Sequence, residues 1–514
     1  LYQLAKKHHI LTVFTNDIHY PNKEDKKYHK ALKAISYRKS YDESGFDDDI
    51  FYIMKRQEVL DLFKDRYPEL PVEELLNNTN IVADKCNFNI QKPKSIHTLP
   101  KFKNGKELLK RLTLEGMIKS TPYKYEGAIK DRIDLELNRF ISKGYEDYFL
   151  IVEDYVRWCK SNGVMVGPGR GSCGSSLVAY SLGITTVDPM KFNLLFDRFI
   201  SEVRKDMPDI DLDFDYENRK KLWKYLSDKY GEENTSKMIT FSTWHGKGAI
   251  RDVGRIFGID GREVNTVAGL VIERSGGDAR SDFCLEDTFT EFEKGKKFFK
   301  DYPLECDIAI KLEGRIRHLG QHAAGFIITD KKISDYVPVY KLKGEITTAW
   351  EKKEVEGMNL IKFDILGLRT LSIIRDAVKF ANLDLEDLPK EYEDPEVYNK
   401  VFKTGDCVGV FQFDTSGLSK LAKQIGIDSF ALTYDATSLY RPGPLHSGLT
   451  ADYTLRNAGK KPITYDHPLL EPITKDTKGI IIYQEQVMLI MYNIGKFSWA
   501  TAESSRKIMT KSKG

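Results

Sequence analysis

Three aspartates within seven residues raise the first chemical expectation. In Pro208-Asp-Ile-Asp-Leu-Asp-Phe214 charged and apolar positions alternate strictly. On a strand this puts Asp209, Asp211 and Asp213 on one face and Ile210, Leu212 and Phe214 on the other. Carboxylates about 7 Å apart along one face repel, so such a face needs cations between the charges or full solvation. An ordinary solvated face would mix Thr, Lys and Glu, and the uniform run of aspartate favours cations. A second segment, Leu360-Ile-Lys-Phe-Asp-Ile-Leu366, repeats the design, with Ile361, Phe363 and Ile365 facing a core and Lys362 and Asp364 opposite. Alone it reads as an amphipathic strand with an internal ion pair. Beside the first strand it supplies a third carboxylate, and aspartates bridging two hard divalent ions can activate a hydroxyl and neutralise the leaving oxygens of a phosphoryl transfer.

A glycine loop, Gly167-Pro-Gly-Arg-Gly-Ser172, follows the short apolar segment Val164-Met-Val166 and precedes a helical pattern through Ser176 to Tyr180. Gly167, Gly169, Gly171 and Gly174 allow positive φ and close backbone approach, while Ser172, Ser175 and Ser176 can cap the helix. Amides exposed at that helix start, with Arg170 as a planar donor, suit phosphate. Read literally, Gly169-Arg-Gly-Ser-Cys-Gly174 also matches the dinucleotide fingerprint, with Asp197 at the distance of a ribose-binding acid. The short strand, the arginine inside the turn and the acidic strand beyond count against that reading. A plain turn with a helix cap remains the bland alternative.

The elements that must hold these residues follow from periodicity. Ile10 to Phe14 reads as a buried strand running into a polar turn, Thr15 to Tyr20, and charged helical patterns follow to about residue 78. A Lys- and Pro-rich stretch from Gln91 reads as a linker, and helical spacing resumes at Leu108, Leu109, Leu112 and Met117. Residues 128–161 predict two helices interrupted at Gly144 and stopped at Ser161-Asn-Gly163. At 514 residues and 59.1 kDa the chain holds about three or four domains, which excludes a single small module. Hydrophobic residues at 41% exclude a disordered chain. The net charge of +3 means that affinity for a polyanion must come from local basic faces. Six cysteines without a C-x-x-C pair point to a reducing, cytoplasmic setting, and the absence of a long apolar run argues against a membrane. The chain starts without Met in a helical pattern, so a fragment is expected.

Taken together, Gly167 to Ser172, Met207-Pro-Asp-Ile-Asp-Leu-Asp-Phe214 and Lys362-Phe-Asp-Ile-Leu-Gly-Leu368 resemble three palm motifs of the bacterial C-family replicative DNA polymerases, the DNA polymerase III alpha family. Further blocks match in the family's order: Leu195-Phe-Asp-Arg-Phe199, Ile250-Arg-Asp-Val-Gly254, Gln321-His-Ala-Ala-Gly325, Phe411-Gln-Phe413, Tyr440-Arg-Pro-Gly-Pro-Leu445 and Tyr483-Gln-Glu-Gln-Val487. The resemblance covers essentially the whole chain and only part of such a polymerase. It implies a multidomain α/β fold, with a polymerase beta-like nucleotidyltransferase palm over 79–240 and 320–370. It also implies a helical thumb over 241–319, incomplete fingers over 371–514, and the tail of a polymerase and histidinol phosphatase (PHP) domain over 1–78.

The implied function is template-directed DNA synthesis in the cytoplasm. Asp209, Asp211 and Asp364 would bind two Mg²⁺, and Asp213 would stand behind them. Gly169, Arg170, Gly171, Ser172, Lys362, Arg441, Arg506 and Lys507 would hold phosphates of the incoming deoxynucleoside triphosphate. Asp17-Ile-His19 resembles the last metal-ligand pair of the PHP domain, for Zn²⁺ or Mn²⁺, and His322 lies just before the Lys362-Phe-Asp strand. Partners would be primer-template DNA, a sliding clamp and other replisome subunits, with no membrane. A PHP-type metal-dependent phosphoesterase and a non-catalytic nucleic-acid-binding relative are the rival readings. Cys173 and Thr243-Trp-His-Gly-Lys-Gly248 depart from the family's commoner wording and point to a divergent or phage-encoded member.

Overall fold

The alternating segments become neighbouring strands of one mixed sheet. The computed structural model describes residues 1–45, 50–89, 98–202, 207–272, 283–385, 388 and 392–511. The expected linker at 91–101 falls mostly outside them. The chain forms two compact units, one of Leu1–Lys92 and Thr240–Gly320, the other of Pro93–Ile239 and Gln321–Ser512.

The six strands are β1 (Asp211–Asp215), β2 (Thr235–Thr243), β3 (Ile316–Ile328), β4 (Val339–Leu342), β5 (Glu345–Thr348) and β6 (Lys362–Leu368). They lie in the order β1-β6-β3-β2-β5-β4. β1 and β6 run parallel, and β6 and β3 antiparallel. The alternation read from the sequence holds on β1, where Ile210, Leu212 and Phe214 are buried while Asp211 and Asp213 stay half-exposed.

Two helices cover the apolar side. They are Gly127–Ser142 and Glu146–Ser161, parted at Gly144 in the left-handed region (φ +73°). Phe140 and Phe149 stack at 4.1 Å between ring centres, and Tyr155 packs on Phe214 and Phe363 beneath the two acidic strands. Eleven residues of the second helix are buried, so it is the central rod of this core. The segment beyond 392 builds its own core from Tyr398, Phe402, Leu418, Leu421, Leu439 and Tyr453.

The first unit departs from expectation. Ile10 to Phe14 forms no strand, and Ile10, Leu11 and Val13 are exposed. A strand is stable only when a neighbour pairs its backbone. Here Phe14 N–H donates to Leu75 O at 3.1 Å, and the nearest pairing is the single bridge of Tyr20 to Tyr52. Ala31 and Ala34, on the helix Lys26–Tyr37, are fully buried in one cluster with Ile250, Val253 and Ile308. The early segment and 240–320 therefore share a core, although the sequence suggested separate bodies.

Candidate functional site

Pairing of β1 with β6 creates the site. Asp211 stands in register with Asp364 on the adjacent parallel strand, so two carboxylates that are 153 positions apart in the chain become neighbours. Asp364 is 8% exposed because β6 is an inner strand. Asp209 is exposed just before β1. The Asp211 carboxyl is held above the usual range, first by burial, then by the charge of Asp364 and a hydrogen bond with it, then by Asp209, with Lys362 opposing. Asp364 from the neighbouring strand and Asp209 from the same segment thus both act on Asp211.

Lys362 forms an ion pair with Asp364 while itself nearly buried. Lys352, at the start of the helix Lys352–Gly357, carries a raised pKa; burial works against this, and the charges of Glu356, Asp209 and Asp364 outweigh it. Two cations and three carboxylates therefore share this face. Oxygen donors with an unrelieved carboxylate repulsion suit a hard divalent ion. Among the described residues no group of three His, Cys, Asp or Glu side chains is already gathered as a metal site. The tight element is the Asp211–Asp364 pair, with Asp209 at its edge.

The glycine loop is tied to β1. Gly167 N–H donates to Asp213 O at 2.8 Å, and Asp215 N–H donates to Met165 O at 2.9 Å. Gly169 and Gly171 take φ of +117° and +61°. A Cβ on Gly171 would come 3.9 Å from Asp211 Oδ2, so the loop backbone borders the acidic pair.

The helix that follows the loop is another matter. Leu177–Ser181 is five residues long, and its amides are taken. The Glu136 carboxylate accepts from Leu177 N and Val178 N at 3.0 Å each and from Ser176 Oγ at 2.6 Å, and Ser176 Oγ accepts from Ala179 N. Arg132 neutralises Glu136 at 2.6 Å. The expected open helix terminus for phosphate is corrected by this internal carboxylate, leaving the loop itself facing the site. Ser172 contributes its carbonyl to Ser175 Oγ at 2.7 Å.

Arg170 pairs with Asp213 at 3.3 Å. That contact partly neutralises the carboxylate expected to stand behind the others. Arg506 donates to Gln484 at 2.9 Å, and Arg441 is exposed at the start of the helix Pro442–His446. The Lys507 side chain lies outside the described residues. In the other unit, Asp17 and His19 meet at 3.2 Å, and His19 stacks on His29 at 4.8 Å. The pair comes from irregular backbone, in the stretch read from the sequence as a polar turn.

Sequence reading missed the supports. Asp215 is fully buried and is bound by Ser372 Oγ, Asn218 Nδ2, Glu217 N and Arg375. It fastens the end of β1 to the helix Arg369–Phe380, which continues from β6. Tyr148 Oη accepts from Ile210 N at 3.1 Å, between Asp209 and Asp211. Glu136 had a visible signal: a charge on the stripe of Ile133, Leu137 and Phe140, four residues after Arg132. Asp215 breaks the alternation of β1, which was also readable.

The family profile described as bacterial DNA polymerase III alpha NTPase domain matches residues 107–367, and the profile for the finger domain of the same subunit matches residues 370–514. The chain belongs to the bacterial DNA polymerase III alpha family. It is 35% identical to the DNA polymerase III subunit alpha of Aquifex aeolicus, over 100% of this chain and 47% of that protein. It is 34% identical to the Buchnera aphidicola subunit, over 97% of this chain and 45% of the other. With the Staphylococcus aureus subunit it shares 37% identity over 85% of this chain and 41% of the other. The chain thus spans less than half the length of these polymerase III alpha relatives. The finger profile begins at the helix Arg369–Phe380, which Asp215 holds to β1. No helix among the described residues is long and apolar enough to cross a membrane.

Proposed function

We propose that this chain carries the nucleotidyl-transfer centre of a template-directed replicative DNA polymerase. A primer 3′-hydroxyl would attack the α-phosphate of a deoxynucleoside triphosphate, and pyrophosphate would leave. The observation that carries the reading is the registration of Asp211 with Asp364 on adjacent strands, with Asp209 also acting on Asp211. These three carboxylates would hold two Mg²⁺, which lower the cost of charge on the attacking and leaving oxygens. Lys362 and Arg170 would orient and neutralise substrate phosphates, and the backbone of Gly169 to Ser172 would approach them closely. Arg441, Arg506 and Lys507 would contact the triphosphate from the finger segment.

The domain reading has support of the same kind. Residues 79–240 and 320–370 would be the palm of polymerase beta-like type, 241–319 a thumb, 371–514 fingers and 1–78 the tail of a PHP domain. The profile boundary near 370 supports the limit between palm and fingers, while the core shared by Ala31 and Ala34 with Ile250, Val253 and Ile308 joins the proposed thumb to the segment before residue 79. Partners would be primer-template DNA and, through other parts of the full-length protein, a sliding clamp and replisome subunits in the cytoplasm.

Primer extension by the full-length protein tests the reading. Templated lengthening that needs Mg²⁺ is expected. Shortening of the primer would favour a phosphoesterase, and binding without change of length a non-catalytic relative.

A further inference from the structure

We propose that His322 contacts the substrate directly, its imidazole Nε2–H serving as a fixed hydrogen-bond donor to a phosphate oxygen of the incoming nucleotide. The proposal rests on the polymerase reading above and adds a residue to it. Its basis is how the ring is held. His322 Nδ1 accepts from the amides of Ala324, at 3.2 Å, and Gly325, at 2.6 Å. A ring nitrogen that receives two amide hydrogens cannot carry a proton, so the proton of the neutral imidazole sits on Nε2. Backbone geometry therefore fixes the tautomer.

The same stretch of β3 places the ring. Gly325 is in register with Asp364 across β3 and β6, and residues opposite one another in a sheet share a face. A Cβ at Gly325 would meet Met238 Cε first and would lie 2.9 Å from His322 Nδ1 and 3.3 Å from Lys362 Cδ. The absence of a side chain there leaves room that the Met238 methyl and the imidazole share, with the ring beside the stem of Lys362 and on the face of Asp364. Burial, then the charges of Lys362 and Lys352 against that of Asp364, hold His322 below its ordinary pKa and keep the ring neutral. Among the described residues no hydrogen bond occupies Nε2.

The surroundings select the ligand. Lys362 and Lys352 lie on this side beside the three carboxylates, so an anionic oxygen would meet the lysines there once the divalent ions proposed for those carboxylates offset their charge. A histidine serving only the backbone of β3 would need Nδ1 alone, an acceptor that an Asn side chain could supply with less bulk.

That difference gives the test, single-nucleotide incorporation by the full-length protein. His322→Asn keeps an acceptor for the amides of Ala324 and Gly325 and loses the donor at the Nε2 position; His322→Gln places an amide N–H near Nε2. His322→Asn should keep its melting temperature and its primer-template affinity while incorporation slows on the order of 100-fold, the loss of one preorganised donor. His322→Gln should recover most of that rate. A parental rate in His322→Asn, or equal slowness in both variants, would overturn the proposal. If His322→Asn melts early, the Gln variant decides: near-parental incorporation supports the donor role and slow incorporation overturns it. A parent inactive with Mg²⁺ would instead bring down the polymerase reading itself, and Asp211→Asn, expected to be inactive, marks the floor of the assay.

Discussion

Asp211 carries a cost that can be measured. Its folded pKa lies above the unfolded value because of burial and the charges of Asp364 and Asp209, so the folded state binds the extra proton. The penalty is therefore full above the folded pKa and vanishes below the unfolded value near 3.9. In metal-free buffer Asp211→Asn should melt at or above the parent's temperature at neutral pH. The advantage should shrink as the pH falls through the raised pKa, as scanning calorimetry over a pH series would show. Added Mg²⁺ should stabilise the parent and leave Asp211→Asn nearly unmoved, since binding to the native state alone raises apparent stability. A large loss of stability in the metal-free variant would show that the carboxylate is a structural partner.

Arg375 reaches fully buried Asp215 from the helix that follows β6. Arg375→Ala should cost about 3 kcal/mol in denaturant unfolding, because it leaves a buried carboxylate short of its cation. The Asp215 carboxyl sits below its ordinary pKa; burial opposes this, and Ser372, Asn218, Arg375 and the Glu217 amide outweigh it. Its stabilisation is present above the unfolded pKa and fades as pH falls through the lower folded value. Gly171→Val should cost about 1 to 3 kcal/mol, since φ is +61° there, and should weaken nucleotide binding in a fluorescence titration. Unchanged affinity would return the loop to a plain turn.

How far these elements were legible depended on what each one contacts. β1, β6 and the two helices up to Ser161 were readable, because one face of each meets a core and the period records it. Ile10 to Phe14 misled, since an apolar run fixes a strand only with partners, which no local pattern reveals. The helix start after the glycine loop misled as well. Its amides are filled by Glu136, and that carboxylate arrives from a helix some forty residues earlier. The Asp211–Asp364 register is a pairing across 153 positions, and only the resemblance to a family could join it in advance.

At the scale of the whole molecule, the net charge of +3 leaves no general attraction for DNA. Binding must come from few local phosphate contacts, so affinity for primer-template should fall with a log–log salt slope of about 0.9 per phosphate neutralised. A chain that spans under half of its relatives should show a shallower slope than the full-length protein. Equal slopes would mean that all DNA contacts reside here. Under the proposed function Asp211 and Asp364, brought together by the sheet, would do the chemistry, and Asp213 would stand behind them. Single-nucleotide incorporation by the full-length protein, measured for Asp211→Asn, Asp364→Asn and Asp213→Asn, addresses it most directly. The first two should lose on the order of 1,000-fold or more in rate, as expected when the chief electrostatic contribution is removed, and Asp213→Asn should stay within about tenfold of the parent, the scale of a group acting through its neighbours. Near-parental rates in either of the first two, or an equal loss in the third, would contradict the account.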